Sequence, residues 1–121
     1  MTLVQPTWVL HVEEEFSSAH HNGPEGHKCN ETHGHDWLAV VEITYHQVNE
    51  LGWGPDFGDV KGVIRPMDHQ NLNKLFAFPP SAELIGQWLY HEIWGRIGIQ
   101  PDFVEIHEGG ANRIRYTETQ S

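Results

Sequence analysis

WVLHVEEEF, residues 8–16, alternates apolar and polar side chains over five positions. A period of two is typical of a β-strand with one buried face and one solvated face. Residues 37–48, WLAVVEITYHQV, are rich in β-branched and aromatic side chains and predict a second, longer strand. Between them lies a polar segment from Ser17 to about Asp36, which we expect to be a surface loop that carries function.

Two helices are predicted after these strands. Asp59 can cap a short helix whose apolar side chains share one face, and Pro66 limits its length. Ser81 follows two prolines and is a natural N-cap for a longer helix. In that helix apolar residues repeat at helical spacing until Gly98, which is expected to end it.

A hairpin is predicted to close the chain. Residues 103–107 and 114–117 have strand-like patterns on either side of Gly109 and Gly110. The element order is therefore ββααββ, which indicates an α+β fold: a four-stranded antiparallel sheet with two helices on one face. We expect residues 1–121 to form a single domain. The sheet's edges would be open, which favours closure by oligomerisation.

The composition excludes several classes of protein. In 121 residues there are 7 Lys and Arg against 17 Asp and Glu, a formal charge of -10. This balance argues against nucleic acid or an anionic membrane as a partner, because phosphate contact needs clustered cations. The single cysteine, Cys29, has no partner for an internal disulfide and suits a reducing, cytoplasmic location. Ten histidines indicate metal or proton chemistry.

The histidines suggest a metal site. His33 and His35 flank one glycine, so both side chains can face one ion if the segment is extended. His20 could supply a third ligand if the first strand pairs with the second. Three histidines with one position left for water or substrate is the arrangement of a catalytic zinc site. The alternative is that these are solvated loop histidines.

Three readings of Cys29 remain open: a buried structural cysteine, a fourth metal ligand, or a reactive thiolate favoured by Lys28 and a nearby metal ion. Its polar surroundings argue against a core role.

Two further sites carry acid and base groups. Asp68 beside His69 could tune that histidine for proton transfer, although it could equally be a solvated helix end. Glu108, at the Gly-Gly turn, could accept two N–H bonds from a guanidine-like heterocycle edge, although such a residue is more often exposed.

Taken in order, these motifs resemble the 6-pyruvoyl-tetrahydropterin synthase superfamily, and the resemblance spans nearly the whole chain. The motifs that carry it are Phe16-Ser17-Ser18-Ala19-His20, Gly26-His27-Lys28-Cys29, His33-Gly34-His35, Asp56-Phe57-Gly58-Asp59-Val60-Lys61, Met67-Asp68-His69, Leu72-Asn73, Pro80-Ser81-Ala82-Glu83 and Glu108. Three residues separate Cys29 from His33, a spacing that resembles the 6-carboxy-5,6,7,8-tetrahydropterin synthase branch of the queuosine (7-deazaguanine) pathway.

The resemblance implies a tunnelling fold (T-fold), with subunits joined edge to edge into trimers that stack as a homo-hexamer with interfacial active sites. It implies that His20, His33 and His35 bind Zn²⁺, that Cys29 is the catalytic thiolate, and that Glu108 anchors a pterin ring. Asp68 and His69 would be acid–base partners of Cys29 in a neighbouring subunit.

The implied substrate is the pterin 7,8-dihydroneopterin triphosphate, and the products are acetaldehyde, triphosphate and a 6-carboxy pterin. Ser18, Leu84 and Gly109 depart from the usual pattern. A pyruvoyl-forming lyase, a zinc hydrolase of the same fold and a non-catalytic metal-binding protein are the alternatives.

Overall fold

A computed structural model describes residues 3–119 and contains one sheet with helices against one face. The strands are β1 (Trp8–His20), β2 (His33–Tyr45), β3 (Phe103–Glu108) and β4 (Asn112–Tyr116); the helices are α1 (Phe57–Ile64), α2 (Leu72–Leu75) and α3 (Ala82–Ile97). The strands lie in the order β1-β2-β3-β4, and each neighbouring pair is antiparallel. The predicted α+β class and four-stranded sheet are confirmed, and α2 is an additional one-turn helix.

The core lies between the sheet and the helices. Even-numbered positions of β1 and odd-numbered positions of β2 point towards the helices, because side chains alternate along a strand. The largest fully buried side chains include Phe16, Trp37 and Tyr90. Phe16 and Trp37 stack with ring centroids 5.8 Å apart. The rings of His20 and His35, at the polar end of the sheet, pack against Trp37.

The ends of α3 are as predicted. The Ser81 side chain accepts a hydrogen bond from the backbone N–H of Leu84, which satisfies one of the free donors of the first turn. Gly98 ends the helix in the left-handed conformation, with φ of 81°, which glycine adopts without a Cβ clash.

Several predicted boundaries were wrong, among them the end of the second strand, which lies at Tyr45 and not at Val48. Asp56, and not Asp59, is the N-cap of α1: its side chain accepts from the N–H of Gly58, and Asp59 lies in the first turn. The predicted loop from Ser17 to Asp36 is shorter, because β1 continues to His20 and β2 begins at His33. Backbone pairing continues through these polar residues even though they add little to the apolar core.

No helix within residues 3–119 has the length and apolar character needed to cross a membrane. The edges of the sheet are β1 and β4.

Candidate active site

The pairing of β1 with β2 brings the histidines together. His20 lies directly opposite His33, and cross-strand partners point to the same face of a sheet. His35 is two residues further along β2 and so shares that face. The ring centroid of His33 lies 4.6 Å from those of both His20 and His35, and the centroids of His20 and His35 are 5.2 Å apart. Strand register therefore builds the cluster.

Backbone carbonyls fix which ring nitrogens are free. His20 Nδ1 lies 2.8 Å from the carbonyl oxygen of Pro80, and His33 Nδ1 lies 2.7 Å from that of Glu31. A carbonyl can only accept a hydrogen bond, so each Nδ1 carries the proton and each Nε2 presents a lone pair. This second layer of contacts is typical of metal-ligating histidines.

The Nε2 atoms of His20 and His35 are buried and lack a hydrogen-bond partner among the described residues. Unpaired buried nitrogens are costly, and a metal ion is one of the groups that would satisfy them. Burial lowers the pKa of His35, an effect that the Glu108 carboxylate opposes. The lowered pKa favours the neutral imidazole, which is the form that binds a metal.

Four side chains could hold a metal ion. Donor atoms of His20, His33, His35 and Glu108 all lie within 4.8 Å of one another. Cys29 does not belong to this group, so the reading of Cys29 as the fourth ligand finds no support in the geometry. Glu108 is instead the fourth member of the group.

Cys29 lies at the centre of a 3-10 turn formed by Lys28–Asn30. Its backbone N–H donates to His27 Nδ1 at 3.1 Å. A Cβ on Gly23 would come within 2.9 Å of the Cys29 Cβ, so glycine allows this segment to pack closely against Cys29.

The half-buried Cys29 lines a cavity of about 580 Å³, together with Lys28, His33, His35, Glu108 and Asn112. The cavity is large enough for a small organic molecule.

Asp68 and His69 form a pair on a turn held against β1. Asp68 Oδ1 accepts from the backbone N–H of Ser17 at 2.8 Å, and Oδ2 lies 2.8 Å from His69 Nδ1. The hydrogen bond from Ser17 lowers the pKa of Asp68 and favours its anionic form. His69 has a φ of 56°, uncommon for a residue with a side chain, and its side chain is 84% exposed.

Within one chain, His69 and Cys29 do not line the same cavity. His69 lines a separate depression with Ser17, Ser18, Ala19, Gly34, His35 and Asp36, whereas Cys29 lines the cavity described above. His35 contributes to both.

Several features of the site carry no clear sequence signal. The carbonyls of Pro80 and Glu31 orient two histidines, but any residue has a carbonyl. Ser18 is buried, donates to the carbonyl of Met67 and accepts from the N–H of Gln70, so it ties the Asp68 turn to β1. Gly109 has a φ of 72°, which explains why glycine stands at this unusual position.

Fold and site together define a T-fold protein with a candidate metal centre. The family described as 6-pyruvoyl tetrahydropterin synthase matches residues 9–119. The chain belongs to this family.

Two relatives and one solved structure show the extent of the similarity. The chain is 32% identical over 80 residues to a candidate 6-carboxy-5,6,7,8-tetrahydropterin synthase from Archaeoglobus fulgidus, covering 63% of this chain and 68% of that protein. It is 26% identical over 96 residues to the 6-carboxy-5,6,7,8-tetrahydropterin synthase of Synechocystis, covering 71% and 74%. The structure of Caenorhabditis elegans 6-pyruvoyl tetrahydropterin synthase superposes with a TM-score of 0.78 at 21% identity, covering 98% of this chain and all of that one.

Proposed function

We propose that this protein is a zinc-dependent 6-carboxy-5,6,7,8-tetrahydropterin synthase. The reaction is a lyase reaction that converts 7,8-dihydroneopterin triphosphate and one water molecule to the 6-carboxytetrahydropterin, acetaldehyde and triphosphate, in cytoplasmic 7-deazaguanine (queuosine) biosynthesis. One observation carries the proposal: the cavity that contains Cys29 also contains His33, His35 and Glu108. A thiol, part of a candidate metal cluster and a carboxylate therefore face one space of substrate size. The names of the Archaeoglobus fulgidus and Synechocystis relatives support the same reaction.

The metal ligands in this proposal are His20, His33 and His35. Their fit rests on the unpaired Nε2 atoms and on the carbonyls that hold the Nδ1 protons. When bound, zinc would supply Lewis acidity towards the oxygens of the substrate side chain and would orient them.

Cys29 and Glu108 act on the substrate itself. The Cys29 thiolate removes or relays a proton of the substrate side chain, since it lines the same cavity as the metal cluster. The Glu108 carboxylate accepts N–H bonds from the guanidine-like edge of the pterin ring, which fixes the ring relative to the thiol.

Asp68 and His69 complete the site from a neighbouring subunit. The Asp68 carboxylate contacts His69 Nδ1 and leaves the exposed ring able to exchange a proton through Nε2. This ring and Cys29 line different cavities of one chain, which supports a meeting of the pair with a thiol across a subunit interface. Edge strands β1 and β4 supply the contacts of a homo-hexamer built from two trimers.

The triphosphate must be met by local positive charge, because the chain as a whole carries -10. Lys28 lines the cavity, and no ion pair to its ammonium group occurs within residues 3–119. Together with zinc, Lys28 supplies the field for the polyanion.

Product analysis tests the proposal. Zinc-loaded protein is incubated with 7,8-dihydroneopterin triphosphate, and the products are identified by mass. Acetaldehyde and a carboxy pterin are expected. A pyruvoyl product would assign the chain to the pyruvoyl-forming reaction, and unchanged substrate would overturn both.

The variant Cys29→Ala separates this reaction from hydrolysis by a metal-activated water. Turnover is expected to fall by roughly a hundredfold or more, because a proton-transfer group is lost, while zinc content is unchanged. Asn30→Ala, at the exposed neighbour in the same turn, is the matched control. Turnover that survives in Cys29→Ala would favour a zinc hydrolase.

Mixing subunits tests the shared site. Cys29→Ala and His69→Ala are each expected to be inactive, and reassembling them together is expected to restore part of the activity by pairing an intact thiol with an intact histidine. No recovery in verified mixed oligomers would place both groups in one chain.

A further inference from the structure

The Glu108 carboxylate lies against ring nitrogens of two histidines. Its Oε1 is 3.2 Å from His20 Nε2 and 3.0 Å from His35 Nε2. Because the Pro80 carbonyl holds the proton of His20 on Nδ1, the Nε2 lone pair faces an anionic oxygen. Two acceptors in this position repel each other unless a cation lies between them.

The spacing is that of ligands around an ion. Two ligands of a tetrahedral zinc ion, each bound at about 2.0–2.1 Å, lie roughly 3.3 Å apart. The observed 3.2 and 3.0 Å are close to this value, and neither Nε2 makes a hydrogen bond within the described residues. Oε1 therefore stands at a vertex of the cluster that also contains the three histidine donors.

Glu108 reaches this vertex through its strand. It lies opposite Trp37 in the β2–β3 pairing, diagonal to His35 and on the same face of the sheet. Gly109 and Gly110, with φ of 72° and 94°, turn the chain directly after it. The Glu108 side chain is 32% exposed and lines the Cys29 cavity, so it borders both the metal cluster and the space for the substrate.

We propose that Glu108 is an exchangeable fourth metal ligand, bound to the ion in the free protein and transferred to the guanidine-like edge of the substrate when the ring enters. The second half of this proposal rests on the function proposed above. A catalytic zinc site needs an open position, and four protein ligands leave none. Arrival of the ring would therefore open the site only when substrate is present.

Linkage makes the proposal measurable. If one carboxylate serves both partners, metal binding must weaken the binding of a ring that has no side-chain oxygens to offer the metal. The ring must weaken metal binding by the same factor. The suitable probe is unsubstituted pterin, followed by its fluorescence, with zinc as the metal.

The first measurement is zinc affinity, by competition with a chromophoric chelator. Glu108→Gln is expected to bind zinc at least about tenfold more weakly than the wild type, since loss of even an outer partner of a metal ligand typically weakens binding by about ten- to a hundredfold. Glu108→Asp, which keeps the charge on a shorter side chain, should be intermediate. Glu50→Gln removes the same charge from an exposed residue outside the cluster and should leave the affinity unchanged. Equal zinc affinity in folded Glu108→Gln and wild type would overturn the proposal.

The second measurement is pterin binding with and without zinc. Wild-type protein is expected to bind pterin several-fold more weakly when zinc-loaded, and the Co²⁺-substituted protein is expected to change its visible absorption when pterin is added. Equal pterin affinity of the zinc-free and zinc-loaded wild type would overturn the exchange. Failure of the zinc-free wild type to bind pterin would instead count against the proposed function, while the zinc measurement would still decide whether Glu108 is a ligand.

Discussion

Replacing His33 with glutamine tests whether the histidine cluster is a metal site that stabilises the fold. His33 is the suitable ligand to change because it is only partly buried, whereas His20 is 4% exposed and packs against Trp37. The metal-free variant should therefore fold with little loss of stability. What it should lose is the stabilisation by zinc.

The size of the effect follows from mass action and chain length. At a free zinc concentration one hundred times the dissociation constant, binding stabilises the folded state by about 2.7 kcal/mol. A chain of 121 residues has an unfolding entropy of about 0.25 kcal/mol/K, so the melting temperature should rise by about 10 °C. If His33→Gln weakens zinc binding by about tenfold or more, the same zinc concentration should raise the melting temperature by no more than about 6 °C.

Thermal unfolding of the wild type, His33→Gln and His46→Gln, each with chelator and with the same free zinc, measures these shifts. His46 is an exposed histidine beyond the far end of β2 and serves as the control for non-specific zinc binding. A shift of about 10 °C in the wild type and in His46→Gln, but not in His33→Gln, is expected. Equal shifts in all three proteins would refute the metal site.

Three further changes test other contacts. Asp68→Asn should lower kcat by roughly a hundredfold with unchanged zinc content, because the charge facing its histidine is lost; unchanged kcat would contradict the assigned role. Burial acts to raise the pKa of Glu105, but the hydrogen bond from Arg115 holds this pKa below its usual 4.5. The interaction therefore stabilises the fold above that pH and is lost as acid protonates Glu105. In urea denaturation at pH 7, Arg115→Gln should therefore lower the free energy of unfolding by about 1–2 kcal/mol. This difference from the wild type should become smaller below pH 4.5, and a difference that does not change with pH would argue against the pairing. Gly54→Ala should cost about 1–3 kcal/mol in the same assay, since its Cβ would lie 2.1 Å from the ring of the tyrosine that ends β2, whereas Gly95→Ala, which meets nothing, should not.

Local signals predicted α3 well because its ends are set by neighbouring residues. The Ser81 hydroxyl and the Leu84 N–H are three residues apart, and Gly98 needs only its own freedom of φ. The start of α1 was predicted wrongly because two aspartates three positions apart are both suitable caps. Asp56 follows a loop in which Gly54 packs against the ring of Tyr45. Because this contact joins residues that are distant in the sequence, a local pattern does not reveal it.

The hydrophobic pattern did not predict the polar ends of β1 and β2, for a different reason. Hydrophobic alternation reports a strand only where one face meets the apolar core. Beyond Phe16 the inward positions of β1 are Ser18 and His20, which meet backbone carbonyls and the histidine cluster instead. The strand continues, but its inward residues no longer look apolar.

The same reasoning explains why the sequence identified the three histidines but not the place of Glu108 beside them. His20 and His33 belong to a hairpin, so a guess about the pairing of neighbouring strands was enough to unite them. Glu108 joins them only because β3 pairs with β2, after the helices have been placed between the two strands in the chain. Sequence pattern contains the period of each strand but not the register between distant strands, and that register decides whether a carboxylate meets the ring of a substrate or the nitrogens of a metal site. In this chain it places the Glu108 carboxylate beside His20 and His35 and on the wall of the cavity that contains Cys29.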